Sequence, residues 1–243
     1  MLNQQKLSLS IFFPCYNDKG TIAAMVFESK KIAEKLTDDF EIIVIDDGST
    51  DGSRELLLAL KEQVPELKLV FHEKNGGYGA ALRSGFKAAT KELVFYTDGD
   101  AQYNVRELPL LLSKLTPDVD IVNGYKIKRS DPLHRIIVGY IYQYAMKLVF
   151  WLPINDPDCD FRLIRRKVFD KVNLQSSTGT ITIELVKKIQ QAGFHFSEVG
   201  VHHYFRIYGK SQFFNFKRVF KTLWKLMFLW FELMIFQSSN KNK

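Results

Sequence analysis

Strand-length apolar runs alternate with helix-period segments through the first half of the chain, and most of these runs end in a cluster of Asp, Asn, Gly or Ser. The runs predict strands at Leu7–Phe13, Phe40–Ile45, Leu67–Phe71, Leu93–Thr97 and Ile121–Asn123. Helices are expected between them at Thr21–Leu36, Ser53–Gln63, Ala80–Ala89 and Val105–Leu115, the first with Ile22, Met25, Ile32 and Leu36 along one side. Such a βαβ rhythm builds an α/β fold with a mostly parallel central sheet flanked by helices. In an open parallel sheet the carboxyl ends of the strands share one edge, where ligands bind. The clusters Pro14-Cys15-Tyr16-Asn17-Asp18, Asp46-Asp47-Gly48-Ser49, Asn75-Gly76-Gly77-Tyr78-Gly79 and Asp98-Gly99-Asp100-Ala101-Gln102 therefore belong to one site.

After residue 125 the rhythm changes. Lys126–Arg135 (KIKRSDPLHR) reads as a polar, basic loop, and Ile136–Leu152 as an apolar helix buried against the sheet or lying at a membrane. Helices at Arg165–Lys171 and Thr182–Ala192 then precede a strand at Phe194–Val201. No linker or low-complexity stretch interrupts the first 212 residues, so they read as one domain, with residues 213–243 as a tail. The N-terminal MLNQQKLSLSIFFPCYND has too short an apolar run and no small-residue cleavage site for a secretory leader. Cys15 and Cys159, far apart and without metal-ligand spacing, read as two reduced thiols.

The acidic clusters carry the chemistry. Asp98 and Asp100, at i and i+2 on extended backbone, point the same way, and Gly99 between them permits close approach. With the amide oxygen of Gln102 they form an oxygen-donor set suited to Mg²⁺ or Mn²⁺ bound together with phosphate; a solvated turn is the plain alternative. Asp46 and Asp47 close a buried strand, where carboxylates accept from nucleoside N–H and ribose hydroxyl groups; Asp51 or Ser53 is placed to cap the next helix. The first strand ends in FFPCYND without GxGxxG, and Gly209-Lys210-Ser211 has Tyr204 where a P-loop needs Gly, which excludes a nicotinamide-dinucleotide fold and a P-loop NTPase. His195, His202 and His203 lack a partner at zinc spacing.

The net charge of +7 is not spread evenly. Residues 201–243 hold eight Lys and Arg against Glu232 alone, while the remaining 200 residues balance 26 basic against 26 acidic side chains. The same 43 residues hold 12 of the 33 aromatics. Lys217, Lys221, Lys225 and Glu232 fall on one helical face, and Phe216, Phe220, Leu223, Trp224, Met227, Phe228, Phe231 and Ile235 populate the rest. That pattern predicts an amphipathic helix lying in a membrane interface. The alternatives are docking on its own domain, self-association through the C-terminal region, or part of a spanning element.

In series, FFPCYND, VIDDGSTDGS, EKNGGYGAALRSGF, YTDGDAQY, NGYKIKRSDPLHR, DPDCDFRLIRR and VHHYFRIYGKS resemble glycosyltransferase family 2, in particular its polyprenyl-phosphate branch, over nearly the whole chain. The resemblance implies a GT-A fold, a UDP- or GDP-sugar donor and an inverting mechanism at the cytoplasmic face of a membrane. It implies that Pro14, Tyr16, Asn17, Asp46 and Asp47 surround the base and ribose, with Lys74 and Gly76 nearby. Asp98, Asp100 and Gln102 match the DxDxQ metal segment, Arg129 and Arg135 the positions facing the acceptor phosphate, and Arg206 and Lys210 those near the diphosphate. This chain departs from its relatives with Lys126 where Arg is common and Asp160 where Gly is usual, which leaves open which of Asp156, Asp158 and Asp160 faces the reaction.

The leading expectation is metal-dependent transfer of a sugar from a nucleotide donor to polyprenyl phosphate. A lipid phosphate is already an anionic nucleophile and needs positioning. A saccharide hydroxyl, the alternative acceptor, needs a base, with Asp158 the first choice. A nucleic-acid-binding module is disfavoured, because Asp46, Asp47, Asp98 and Asp100 repel a polyanion.

Overall fold

The computed structural model describes residues 7–129, 133–208 and 216–236, without the side chains at 128, 129, 133–135, 216–220 and 236. Seven strands form one sheet: β1 (Ser8–Cys15), β2 (Asp39–Asp46), β3 (Leu67–Phe71), β4 (Leu93–Thr97), β5 (Ile121–Arg129), β6 (Phe161–Arg165) and β7 (Phe196–His203). The helices are α1 (Ile22–Leu36), α2 (Ser53–Gln63), α3 (Tyr78–Ala88), α4 (Leu108–Lys114), α5 (Leu133–Phe150), α6 (Ile181–Gln191) and α7 (Phe216–Trp230), the last running into a π-helical turn at Phe231–Phe236.

The strand order is β3-β2-β1-β4-β6-β5-β7, parallel except for β6. Central strands are covered on both faces, which is why LSIFFPC and EIIVI read as near-continuous apolar runs. One face packs Leu9, Ile11, Phe13, Ile42 and Val44 against Ile22, Met25 and Val26 of α1 and Leu57 and Leu60 of α2. The other packs Phe12, Ile43, Val94 and Tyr96 against Leu82 and Phe86 of α3 and Ile181, Leu185 and Ile189 of α6. Helix α1 owes its form to Ile22, Met25, Val26, Ser29 and Ala33, which recur at helical spacing on the buried side.

Three local expectations are corrected. FRLIR is a strand, not the approach to a helix at Arg165–Lys171, and only a 3₁₀ turn follows it at Arg166–Asp170. As the one antiparallel strand, β6 delivers the loop before it to the edge where its parallel neighbours deliver the loops after them. The segment expected to be a loop from Lys126 instead extends β5 to Arg129 in register with β7. Helix α5 is not buried against the sheet. Its Met146 and Phe150 pack with Ile183 and Val186 of α6 and with Leu226, Leu229 and Leu233 from the C-terminal helical segment. Ile137, Ile141, Tyr144, Leu148 and Trp151 are exposed along its other side.

The C-terminal segment therefore has two apolar faces. Leu226, Leu229 and Leu233 are buried on the domain, and Trp230 Nε1 donates to the Val149 carbonyl at 3.0 Å. Trp224, Met227, Phe228, Phe231 and Ile235 are exposed. Glu232 lies 3.8 Å from Lys188 of α6, so the domain supplies its counter-charge. Among the described residues no helix is long and apolar enough to cross a membrane.

Candidate active site

The four clusters do meet at the carboxyl edge, and they are tied to one another by short polar contacts. Asn17, in left-handed backbone (φ 58°), donates its N–H to Ser49 Oγ (3.0 Å), and its side-chain oxygen accepts from Thr50 N–H (2.8 Å). Asn tolerates this conformation better than other residues with a Cβ. Asp47 N–H donates to the Cys15 carbonyl at the end of β1 (2.9 Å). Tyr16 and Lys74 are exposed beside these loops, whereas Pro14 is buried in β1.

Asp46 and Asp47 are turned inward. Asp46 is 0% exposed; Arg54 Nε and Nη2 reach its Oδ2 at 2.9 and 2.7 Å, and Ser49 N–H donates to Oδ1 at 3.2 Å. Asp47 accepts from His72 Nδ1–H (2.6 Å) and Gly76 N–H (2.9 Å) on one oxygen and Gly77 N–H (2.9 Å) on the other. Two carboxylates expected at the nucleoside thus hold the β2–α2 turn and the β3–α3 loop in this structure. Gly77 is fixed there by φ 92° and by space, since a Cβ would lie 2.4 Å from the Ser177 carbonyl oxygen. The expected cap by Asp51 or Ser53 is corrected: α2 starts after Gly52, whose N-cap position makes no side-chain hydrogen bond, and Asp51, one residue earlier, accepts from Ser53 N–H at 3.0 Å.

The Asp98–Tyr103 turn is held against β1 and the start of α1. Thr21 Oγ1 donates to the Gly99 carbonyl (2.7 Å), and a Cβ on Gly99 would meet the Pro14 carbonyl oxygen at 2.8 Å. Ala101 adopts φ 60°, a left-handed strain of about 1–2 kcal/mol that turns the chain between Asp100 and Gln102. Asp98 accepts from Tyr78 OH (2.8 Å), and Asp100 accepts from Gln102 N–H (3.0 Å) and is paired with Arg206 Nη2. Arg206 Nε donates to Gln102 Oε1 (3.3 Å), and Gln102 Nε2 donates to the Tyr204 carbonyl (3.1 Å). Burial first, then the charges of Asp160 and Asp100, holds Asp98 well above the usual carboxylate range. Burial also raises Asp100 against the pull of Arg206. Asp18 is buried, and burial, with the charge of Asp100 adding, pushes it up to about 6.

The 156–160 loop arrives through β6 and separates the three aspartates. Asp156 is buried and paired with Lys126, whose Nζ is 3.3 and 3.4 Å from its oxygens and donates to the Asp158 carbonyl at 2.8 Å. Lys126 so serves as an internal brace. Asp160 lies 3.8 Å from Arg162 and close enough to Asp98 to raise it. Asp158 is half-buried, and burial pushes it up to about 7 although Lys126 pulls the other way. Arg162 is 0% exposed and reaches Asn123 Oδ1, Tyr96 OH and the Pro157 carbonyl, each at 2.5 Å. Neither Arg162 nor Asn123 was singled out as a site residue; an arginine inside an apolar strand run is the signal that marks the first.

Arg129 ends β5 and Arg135 lies in the first turn of α5, but their side chains, and all of Lys210, fall outside the described residues. Among the described residues no three His, Cys, Asp or Glu side chains form a ready metal cage. The donor set still fits a hard cation shared with a ligand. Asp98 and Asp100 are adjacent carboxylates that burial makes costly to ionise, and the Arg206 guanidinium already occupies a cationic position between Asp100 and Gln102.

Comparison with known proteins gives the fold and the family. The undecaprenyl-phosphate 4-deoxy-4-formamido-L-arabinose transferase of Salmonella choleraesuis (strain SC-B67) is 27% identical over 220 residues, covering 90% of this chain and 66% of that protein. The transferase of the same name from Salmonella newport (strain SL254) matches over the same shares. The chain thus spans just under two thirds of the length of these curated relatives. Glucosyl-3-phosphoglycerate synthase from Mycobacterium tuberculosis, solved with Mn²⁺, uridine diphosphate and phosphoglyceric acid, superposes with a TM-score of 0.63 at 18% identity, over 82% of this chain and 72% of that one. A further mycobacterial protein gives 0.62 at 20% identity, over 82% and 68%. These structures place the sheet and its flanking helices in the GT-A fold. The sequence profile of Glycosyl transferase family 2 matches residues 10–172, from β1 through β6 and the turn after it, which takes in the acidic edge and the 156–160 loop; the chain belongs to glycosyl transferase family 2.

Proposed function

We propose that this glycosyltransferase moves a sugar from a UDP- or GDP-sugar to a polyprenyl phosphate at a membrane surface, with inversion at the sugar carbon. The observation that carries the reading is that Asp98, Asp100 and Gln102 share one turn, that Arg206 reaches Asp100 and Gln102, and that Asp160 of the 156–160 loop lies close enough to Asp98 to raise it. The names of the curated relatives support the acceptor class. Asp98, Asp100 and Gln102 would hold Mg²⁺ or Mn²⁺, which offsets the charge of the departing nucleoside diphosphate. Arg206 adds a bidentate donor to that leaving group, and Lys210 extends the basic segment. Exposed Tyr16 and Lys74 flank the nucleoside, while Asp46, Asp47, Asn17 and Gly76 shape its loops. Arg129 and Arg135, on either side of residues 130–132 in the sequence, are the basic residues assigned to the acceptor phosphate, which needs orienting for in-line attack. Titrating the protein with UDP- and GDP-sugars in Mn²⁺ and following its unfolding temperature tests donor binding. One donor series is expected to stabilise it in a metal-dependent way, and inertness to every nucleotide with and without metal contradicts the reading.

Asp158 favours a second reading, transfer to a saccharide hydroxyl. A carboxylate pushed up to about 7 is poised to accept a proton at neutral pH. Only the ionised form is a base, so transfer to a hydroxyl acceptor should rise about tenfold per pH unit below 7 and level off above it. Asp158→Asn should flatten that limb and cost about 10²–10⁴-fold with a hydroxyl acceptor. Equal pH profiles for the wild type and the variant remove the base assignment.

Membrane contact forms part of the proposal. Helix α5 and the C-terminal segment pack together through Met146, Phe150, Leu226, Leu229 and Leu233 and leave Tyr144, Leu148, Trp151, Trp224, Phe228 and Phe231 exposed, and the segment also carries Lys221, exposed, and Lys225, half-buried. Aromatic and basic side chains together suit an anionic interface. The full chain is expected to float with anionic liposomes and to lose most of that association in a Trp224→Asp, Phe228→Asp double variant. Recovery of wild type in the soluble fraction with every lipid tested contradicts this contact.

A further inference from the structure

Arg206 occupies two of the three side chains proposed to hold the cation. Its Nη2 is on Asp100 Oδ2 and its Nε is 3.3 Å from Gln102 Oε1. Asp100 is 5% exposed and backed by the strained Asp98–Tyr103 turn, so it is the fixed partner. Arg206 is the movable one. Its side chain is 28% exposed, and it follows β7 in a stretch without regular structure whose neighbours Phe205 and Ile207 are exposed. What brings it to Asp100 is a local zipper: Tyr204 N–H donates to the Gln102 carbonyl (2.8 Å), Gln102 Nε2 donates back to the Tyr204 carbonyl (3.1 Å), and Tyr103 bridges His203.

We infer that Arg206 is a placeholder for the divalent cation, and that it exchanges Asp100 for the nucleoside diphosphate when donor and metal enter together. This rests on the metal reading of the proposed function. Asp100 is a buried carboxylate with the half-buried Asp98 two residues away, and the Arg206 guanidinium is the positive charge set against it when no ligand is bound. A cation arriving alone must displace Arg206 into water, which opposes binding. Arriving with a diphosphate, it releases the guanidinium to a new anionic partner, so each ligand tightens the other by the same factor. Arg206 then acts on the leaving group only after the cation has replaced it.

Calorimetric titration of the full chain with Mn²⁺, alone and with saturating UDP or GDP, tests the exchange in wild type, Arg206→Gln and Arg206→Lys. Mn²⁺ alone should bind Arg206→Gln at least tenfold more tightly than wild type, with Arg206→Lys between them. Nucleotide should tighten Mn²⁺ binding far more in wild type than in Arg206→Gln. A purely structural arginine predicts no gain in metal affinity on its removal. Equal or weaker Mn²⁺ binding by Arg206→Gln, with wild type still binding Mn²⁺ in the presence of nucleotide, overturns the placeholder and leaves the metal reading intact. Absence of Mn²⁺ binding in all three proteins, even with nucleotide, overturns both.

Discussion

Asp100→Asn is expected to lower sugar transfer about a thousandfold while the protein unfolds at the same temperature or higher. The two effects separate because Asp100 is held for charge rather than packing. Its carboxylate is buried 5% exposed in a turn, and burial raises it above the ordinary carboxylate range despite Arg206. The ionised form is therefore disfavoured by folding, and a neutral amide of the same shape relieves that cost. Asn keeps an oxygen to accept from Gln102 N–H, and Arg206, partly exposed, is resolvated by water. Activity is expected to be lost because, under the proposed function, a cation beside a diphosphate needs the negative ligand. Initial rates and thermal unfolding measured on one preparation check this, and wild-type turnover in the variant removes Asp100 from the metal site.

Arg162→Met should do the opposite, costing about 3–5 kcal/mol of stability. Methionine fills much of the volume but leaves Asn123 Oδ1, the Pro157 carbonyl and Tyr96 OH without their donor, and Asp160 without its nearest positive charge. Buried acceptors that lose a charged donor carry their full desolvation penalty. For a chain of this size the unfolding temperature should fall by roughly 10 °C. Arg162→Lys keeps the charge but cannot span three separate acceptors, so it should lie between the two. Thermal unfolding checks this, and a shift within a degree or two of wild type for Arg162→Met shows that the 156–160 loop holds without it. The pair of variants thus divides the edge into charge kept for chemistry and charge kept for architecture.

That division was the part least legible in the sequence. The clusters after β1, β2, β3 and β4 could be read because apolar runs mark strands and a parallel sheet gathers their ends without reference to tertiary detail. Asp46 and Asp47 could not be assigned in the same way. Their partners Arg54, His72, Gly76 and Gly77 are chosen by how α2 and the β3–α3 loop pack, and nothing in DDGS distinguishes a carboxylate facing a ligand from one facing the chain. Strand β6 was missed because Arg162 interrupts a run of only five residues and FRLIRRKVF carries helix-like spacing. The burial of that arginine is a property of the assembled sheet. The polar alternation of GYKIKR concealed the end of β5 in a similar way, since its pairing with β7 lies some 75 residues away in sequence. In the C-terminal segment a helix was legible, whereas its Leu226, Leu229 and Leu233 face acquired its meaning from α5 and α6.

The central claim, metal-dependent transfer to a lipid phosphate, is tested most directly by partition of labelled sugar between water and organic solvent. Purified protein, Mn²⁺ and undecaprenyl phosphate are incubated with each labelled UDP- and GDP-sugar in turn. Label is predicted to enter the organic phase for one donor series, to stop when a chelator is added, and to be absent with Asp100→Asn. Label that stays in the aqueous phase with every donor, or that enters the organic phase equally with chelator or with Asp100→Asn, contradicts the account.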